Sequence, residues 1–226
     1  MNSEILKGFF SYKFEKDIND KMMYYSYRFE YGSVLSYIYE LLNISLMDYV
    51  DFIIQNYKVP YLEASDIFQF SNFDDCTKNI CRVIKEAGDK GYVALDIGKL
   101  LENDGLERKD GAYIKYGENQ AKTAVQLGLL NLLSNKFFLS CFGFVFNDLS
   151  DEMQSKFINR LILRNKLIQR LIYKSKTNGK AEYSYEAGFL SQSTLLRRKS
   201  NVKTIINILS STKECDLSGI LSRIVF

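Results

Sequence analysis

A mainly α protein with small β-hairpin wings is the fold class this sequence predicts, on three observations. There is a single proline, Pro60, in 226 residues, and proline is the residue that most often interrupts helices. Apolar residues recur at three- and four-residue steps over most of the chain, the spacing of one buried helical face. Only two short stretches, one before residue 140 and one at the end, alternate or cluster like strands. With 46% hydrophobic residues, including 16 Tyr and 16 Phe, there is ample material for packed cores, and the length suits one or two domains.

The first third reads as helices. From Ser33, the residues Val34, Leu35, Ile38, Leu41 and Leu42 fall on one face. Ser45-Leu46-Met47-Asp48 offers a capping start for a second helix lined by Leu46, Tyr49, Val50, Ile53 and Ile54, which Lys58-Val59-Pro60 ends. The run Met22-Met23-Tyr24-Tyr25-Ser26-Tyr27 is read as packing in preference to a stacking surface.

In the middle third, Asp75 to Ala87 is expected as a helix with Ile80, Val83 and Ile84 inward. An extended piece at Gly91–Leu95 and a short helix through Ile97, Leu100 and Leu101 follow. A helix over Lys115–Gly128 then leads to two strands, Leu129–Leu133 and Phe137–Leu139, joined by a Ser134-Asn135 turn. In the last third, Asp151 to Tyr173 is expected as one helix, broken by Asn178-Gly179. A short segment over Ala181–Gly188 precedes a long helix to Leu209, and Glu214–Phe226 is expected to supply a terminal hairpin or strand. Helix, short strand, helix, helix, hairpin is the winged-helix order of elements. The expected division is therefore a helical N-terminal region (1–72), a first winged helix (73–150) and a second, basic one (151–226), two tandem helix-turn-helix domains.

Composition narrows the function. The chain has no histidine, which removes Ser-His and Cys-His nucleophile pairs, His-containing zinc sites and imidazole bases. Cys76, Cys81, Cys141 and Cys215 show no Cys-x-x-Cys spacing and read as core residues. No glycine-rich phosphate loop is present, and no cofactor is implied. No apolar run approaches a membrane span, and the first residues lack the pattern of a signal peptide, so a cytoplasmic, non-membrane protein is expected. The letters of a nuclease site occur at Glu107-Arg108-Lys109 with Asp96 or Asp104 upstream, but in a polar loop without a strand to hold a metal. A non-enzymatic protein is expected.

The net charge of +3 conceals a gradient. Residues 1–75 carry 6 Lys+Arg against 12 Asp+Glu, residues 76–150 carry 10 against 9, and residues 151–226 carry 14 against 6. The last third, at +8, suggests a polyanionic partner, double-stranded DNA, and the acidic first third a protein partner or self-association. Within the basic third, Leu195, Val202, Ile206 and Leu209 fall on one stripe of a helix. Ser193, Arg197, Ser200, Asn201 and Thr204 lie opposite. Such a face suits a major groove, with Arg197 and Asn201 at base edges and Arg198, Lys199 and Lys203 toward phosphates. A second, weaker candidate is the helix bearing Lys115, Asn119, Gln120 and Lys122, with Gln126 also expected to reach outward.

Three strings resemble the signatures of a bacterial winged-helix family found beside or within restriction-modification and phage-defence systems. They are Tyr116-Gly117-Glu118-Asn119-Gln120-Ala121-Lys122-Thr123-Ala124, Leu163-Arg164-Asn165-x-Leu167-Ile168-Gln169, and Leu190-Ser191-x-Ser193-Thr194-x-x-Arg197-Arg198. The resemblance covers roughly residues 75–210 and implies DNA association more than any reaction, which makes a recognition or accessory component of such a system the expected role. A nuclease or methyltransferase subunit, or a second copy of the chain, is the partner expected on the acidic region 1–72. One departure is Ile205 and Ile208, where the family pattern carries tryptophans. The alternative is a protein-interaction adaptor whose winged helices contact protein partners.

Overall fold

A computed structural model describes residues 2–11, 20–58, 61–102 and 107–226, with the side chains of all these but 20–30 and 89. The described chain is mainly helical. Its helices are α1 (Asn2–Ser11), α2 (Asp20–Asn43), α3 (Leu46–Asn56), α4 (Lys78–Ala87), α5 (Ala94–Leu101) and α6 (Asp110–Leu127), followed by the strands β1 (Leu130–Leu133) and β2 (Lys136–Leu139). Then come α7 (Cys141–Phe146), α8 (Asp151–Leu163), α9 (Lys166–Thr177), β3 (Ala181–Glu182), α10 (Tyr183–Glu186), α11 (Gln192–Ser210), α12 (Ser218–Leu221) and β4 (Ile224–Val225). The packing expected of the tyrosine-rich run at residues 22–27 and the proline stop fall on side chains and residues outside this description.

The chain forms two compact units that do not follow the thirds of the sequence. One comprises Met1–Tyr12, Glu40–Phe68 and Glu152–Phe226, the other Lys13–Tyr39 and Gln69–Asp151. Residues 1–72 thus make no body of their own.

In the second of these units the helices α4, α5 and α6 precede an antiparallel hairpin in which Leu130 pairs with Leu139 and Leu133 with Lys136. Ser134 (φ 46°) and Asn135 (φ 64°) take the left-handed conformation that a two-residue hairpin turn of matching twist demands. Tyr92 bridges to Phe137 and adds a third extended segment beside β2. α5 and α6 cross at backbone contact. A Cβ added to Gly117 would lie 2.0 Å from the Ala94 carbonyl oxygen, and one added to Gly98 would lie 2.0 Å from that of Tyr113. Only glycine permits that approach. Ile80, Ile84, Ile97, Ala121, Ala124, Leu127, Leu130 and Phe137 close the core. α4 starts later than expected. Asp75 is turned inward instead, its carboxylate accepting from the Tyr116 hydroxyl at 2.5 Å and the Asn79 amide at 2.6 Å.

The other unit packs α3 and α9 together, with α8, α11 and α1 contributing Phe157, Leu161, Val202, Ile205, Leu6 and Phe9 to its core. Ser45 caps α3 by accepting from the Asp48 N–H at 3.2 Å, and Leu46, Tyr49, Val50 and Ile53 are buried, as their spacing predicts. The single helix expected from Asp151 is two. Asn165 stops α8 and starts α9, its Oδ1 accepting from the N–H groups of Leu167 and Ile168 (3.0 and 3.2 Å) while its amide donates to the Asp66 carbonyl at 2.9 Å. A side chain that satisfies two helix-start donors outcompetes the helical continuation.

Of the hairpin or strand expected over Glu214–Phe226, the strand forms: after α12, β4 pairs in parallel with β3, Ala181 opposite Ile224. No antiparallel partner strand lies within 214–226, so this segment supplies no hairpin wing.

At the base of this unit Arg160 is fully buried. Its Nε donates to the Leu41 carbonyl (3.0 Å), its Nη2 to those of Leu42 (3.2 Å) and Ile44 (2.9 Å), and its Nη1 to Glu214 (2.7 Å) and the Lys156 carbonyl (2.9 Å). Leu41 and Leu42 lie in the last turn of α2, whose carbonyls have no partner within the helix. One planar guanidinium supplies both, and the Tyr49 hydroxyl adds a second donor to Leu41 at 2.9 Å.

Candidate nucleic-acid interface

α11 is built as its sequence requires. Ser191, in extended conformation, accepts from the Thr194 N–H at 3.4 Å and donates its own proton to the Thr194 hydroxyl at 3.0 Å. Leu195, Val202, Ile205, Ile206 and Leu209 are buried, so the apolar stripe anchors the helix. Ser193, Arg197, Ser200, Lys203 and Thr204 stand exposed, with Lys199 and Asn201 half-buried beside them. The hydroxyl protons of Ser200 and Thr204 are spent on the carbonyls of Arg197 (3.4 Å) and Ser200 (3.1 Å). These two residues therefore offer a partner lone pairs, and donation falls to Arg197 and the lysines. Lys203 rests its ammonium 5.4 Å from the Phe226 ring centre.

Arg198 departs from expectation. It donates to the carbonyls of Ala64 and, at 3.3 Å, Ile67, and is half-buried. Burial first, and the neighbouring Arg197 charge second, lower its pKa from the ordinary arginine value. Its charge is committed inside the unit, so it is not a phosphate contact in this conformation. Other cations of the last third are committed too. Arg170 bonds the Tyr57 hydroxyl (3.1 Å) and sits 3.6 Å from buried Glu186, Arg164 lies over the Phe9 ring (5.0 Å), and Lys166 pairs with Asp66 at 3.3 Å. Counting whole-unit charge rather than sequence thirds gives 16 Lys+Arg against 11 Asp+Glu, or +5. Part of the basic excess is engaged within the unit, Arg160 and Arg198 by backbone carbonyls and Arg164 and Arg170 by a ring, a hydroxyl and a carboxylate, which composition alone does not distinguish from a surface.

The weaker candidate on α6 divides. Lys115 is exposed and Asn119 half-buried. Lys122 is paired with Glu118 at 2.6 Å. Gln120, expected to face outward, is fully buried. With its amide oriented to satisfy both ends, it donates to the Asn72 carbonyl (3.2 Å) and accepts from the Asn72 N–H (3.1 Å). The spacing held the signal, since Tyr113, Gly117, Gln120, Ala124 and Leu127 fall at steps of three and four on the buried side.

No helix among the described residues is long and apolar enough to cross a membrane. Comparison with protein-family models, with curated proteins and with solved structures returns no match, and the functional reading rests on the geometry.

Proposed function

We propose that the chain is a DNA-binding module that presents α11 to a duplex groove. The observation that carries this reading is a helix whose apolar stripe is buried and whose opposite face exposes Arg197, Lys203 and a row of hydroxyls, in a stretch from Ala187 to Lys213 that contains no Asp or Glu. Arginine and asparagine on such a face can bond base edges, and lysines can neutralise phosphate. The order α9, β3, α10, α11, β4 is read as a helix-turn-helix unit without a hairpin wing. The order α4, Tyr92, α5, α6, β1, β2 is read as a winged helix. The resemblance of its strings to the defence-associated family makes an accessory or recognition component of a restriction-modification or anti-phage system the context we favour.

The adaptor reading has its own support in the unit of α4–α7. It exposes Val93, Leu100, Ile114 and Leu132, apolar side chains that a protein partner could cover. We assign protein contact to that unit and DNA contact to α11.

The test is a fluorescence-anisotropy titration of a short duplex at 50 to 200 mM salt. Four or five neutralised phosphates give a log–log slope of about −4, hence an affinity loss of several-hundred-fold. A flat response, or no binding at 50 mM, removes the DNA reading.

A further inference from the structure

The turn that feeds α11 carries two exposed aromatic side chains, Tyr185 at 80% and Phe189 at 48%, and the first turns of α11 add Leu196 at 57%. Single exposed apolar residues are ordinary. Three within twelve residues, in the segment already read as cationic, ask for a partner. Tyr183, two residues before Tyr185, is fully buried and donates its hydroxyl to the Leu195 carbonyl at 3.2 Å. That bond fixes α10 against α11. Ala187 and Gly188 close the turn onto the carbonyls of Tyr183 and Tyr185 (2.9 and 3.2 Å). The backbone that carries the two aromatics is therefore tied to the basic helix.

Charge selects the occupant. The two carboxylates nearest in sequence are engaged, Glu182 with Lys180 at 2.5 Å and Glu186 buried beside Arg170, and none follows until Glu214. On α11, Leu196 shares a strip with Lys199, Ser200 and Lys203 at three- and four-residue spacing. An aromatic surface that leads into a helix face carrying Arg197, Lys199 and Lys203 fits a polyanion that also offers flat apolar faces, which describes nucleic acid. Bases within a duplex have both faces stacked already. An exposed ring gains stacking energy only from a base that has left the stack.

We propose that Tyr185 and Phe189 form a stacking platform for unpaired bases, so that the preferred ligand is a duplex continued by a single strand. α11 takes the duplex and the turn before it takes the first unpaired bases. This rests on the DNA-binding reading of α11 and names the kind of DNA.

The experiment uses the full chain and three probes: a blunt 16-base-pair duplex, the same duplex with a four-base overhang carrying 2-aminopurine, and the single strand alone. The tailed duplex is expected to bind about 10- to 100-fold more tightly than the blunt one, the worth of one or two stacked bases, with quenching of the 2-aminopurine. Tyr185→Ala combined with Phe189→Ala removes the preference and the quenching while blunt-duplex affinity holds. Tyr185→Phe combined with Phe189→Tyr retains both, and unchanged thermal melts establish that each variant is folded. Equal affinity for blunt and tailed duplex in the unaltered chain overturns the platform while leaving the DNA reading intact. So does a double-alanine variant that weakens all three probes alike, or one that leaves the tail preference untouched, which would assign the aromatics to a protein partner. Absence of binding to every probe at 50 mM salt overturns the DNA reading and the platform with it.

Discussion

The guanidinium of Arg198 donates to the carbonyl of Ala64, 134 residues earlier in the chain, while its neighbour Arg197 stands in solvent. Two adjacent arginines on one helix thus have opposite surroundings, and substitution separates them. Arg197→Ala is expected to reduce duplex affinity by about 1–3 kcal/mol if it meets a base edge, with stability unchanged to within about 0.5 kcal/mol. Arg198→Ala is expected to lower stability by about 1–3 kcal/mol, because hydrogen bonds from a charged donor to part-buried carbonyls are lost. Chemical denaturation and anisotropy on both variants check this, and a reversed pattern would exchange their roles.

Arg160 has a larger effect in view. Arg160→Met removes the buried cation paired with the Glu214 carboxylate and the donor to the carbonyls of Leu42 and Ile44, and takes one of two donors from Leu41, which keeps the Tyr49 hydroxyl at 2.9 Å; it is expected to cost about 3–5 kcal/mol. Arg160→Lys is not expected to restore it, since one ammonium lacks the planar fork that reaches these groups together. Urea melts that place either variant within 1 kcal/mol of the parent, a bound of about the size of an ordinary hydrogen bond, would remove the structural role.

At the crossing of α5 and α6, Gly117→Ala places a methyl 2.0 Å from the Ala94 oxygen. The helices must separate, at a cost of about 3 kcal/mol or more. Gly111→Ala, with open space around its added Cβ, is expected to be neutral or stabilising by up to about 1 kcal/mol, because alanine favours the helix. Equal melting temperatures for the two variants would contradict the close crossing.

Alkaline pH is expected to destabilise the fold. Burial is the largest cause raising the thiol pKa of Cys76, Cys81 and Cys215 and the phenol pKa of Tyr57, Tyr116 and Tyr183 above their ordinary values. A group with its folded pKa raised contributes stability that is complete below the unfolded pKa and is lost as pH climbs toward the folded one. The melting temperature should therefore hold to about pH 8 and fall beyond it, thiols first and phenols from about pH 10. Cys76 and Cys81 should react with a thiol reagent only as fast as the chain opens, after Cys215, which is half-buried.

Much of the fold was legible in the sequence. The stripe Leu195, Val202, Ile206 and Leu209, the face of α3 and the Ser134-Asn135 turn all follow from local periodicity and turn chemistry, which act over a few residues. The departures have one physical source, long-range hydrogen bonding. Asn165 breaks a helix to bond Asp66, Gln120 turns inward to bond Asn72, and Arg198 turns inward to bond Ala64. Gln120 and Arg198 looked like surface because their residue types are polar, Asn165 fell inside one expected helix, and each is paired with a backbone group that no sequence window contains. The exposed face of α11 was legible, whereas the cations withdrawn from it were not.

The link from Arg160 to Leu41 spans 119 residues, and it has a meaning for how the molecule is made. At about 5–20 residues per second of synthesis, about 6 to 24 seconds pass between the emergence of Leu41 and that of the arginine that completes its surroundings. During that wait the apolar side of α3 (Leu46, Val50 and Ile53) has neither α8 nor α9 to cover it, since both are still to be translated. The apolar face of α3 therefore stays uncovered through that interval, and slower translation lengthens its exposure.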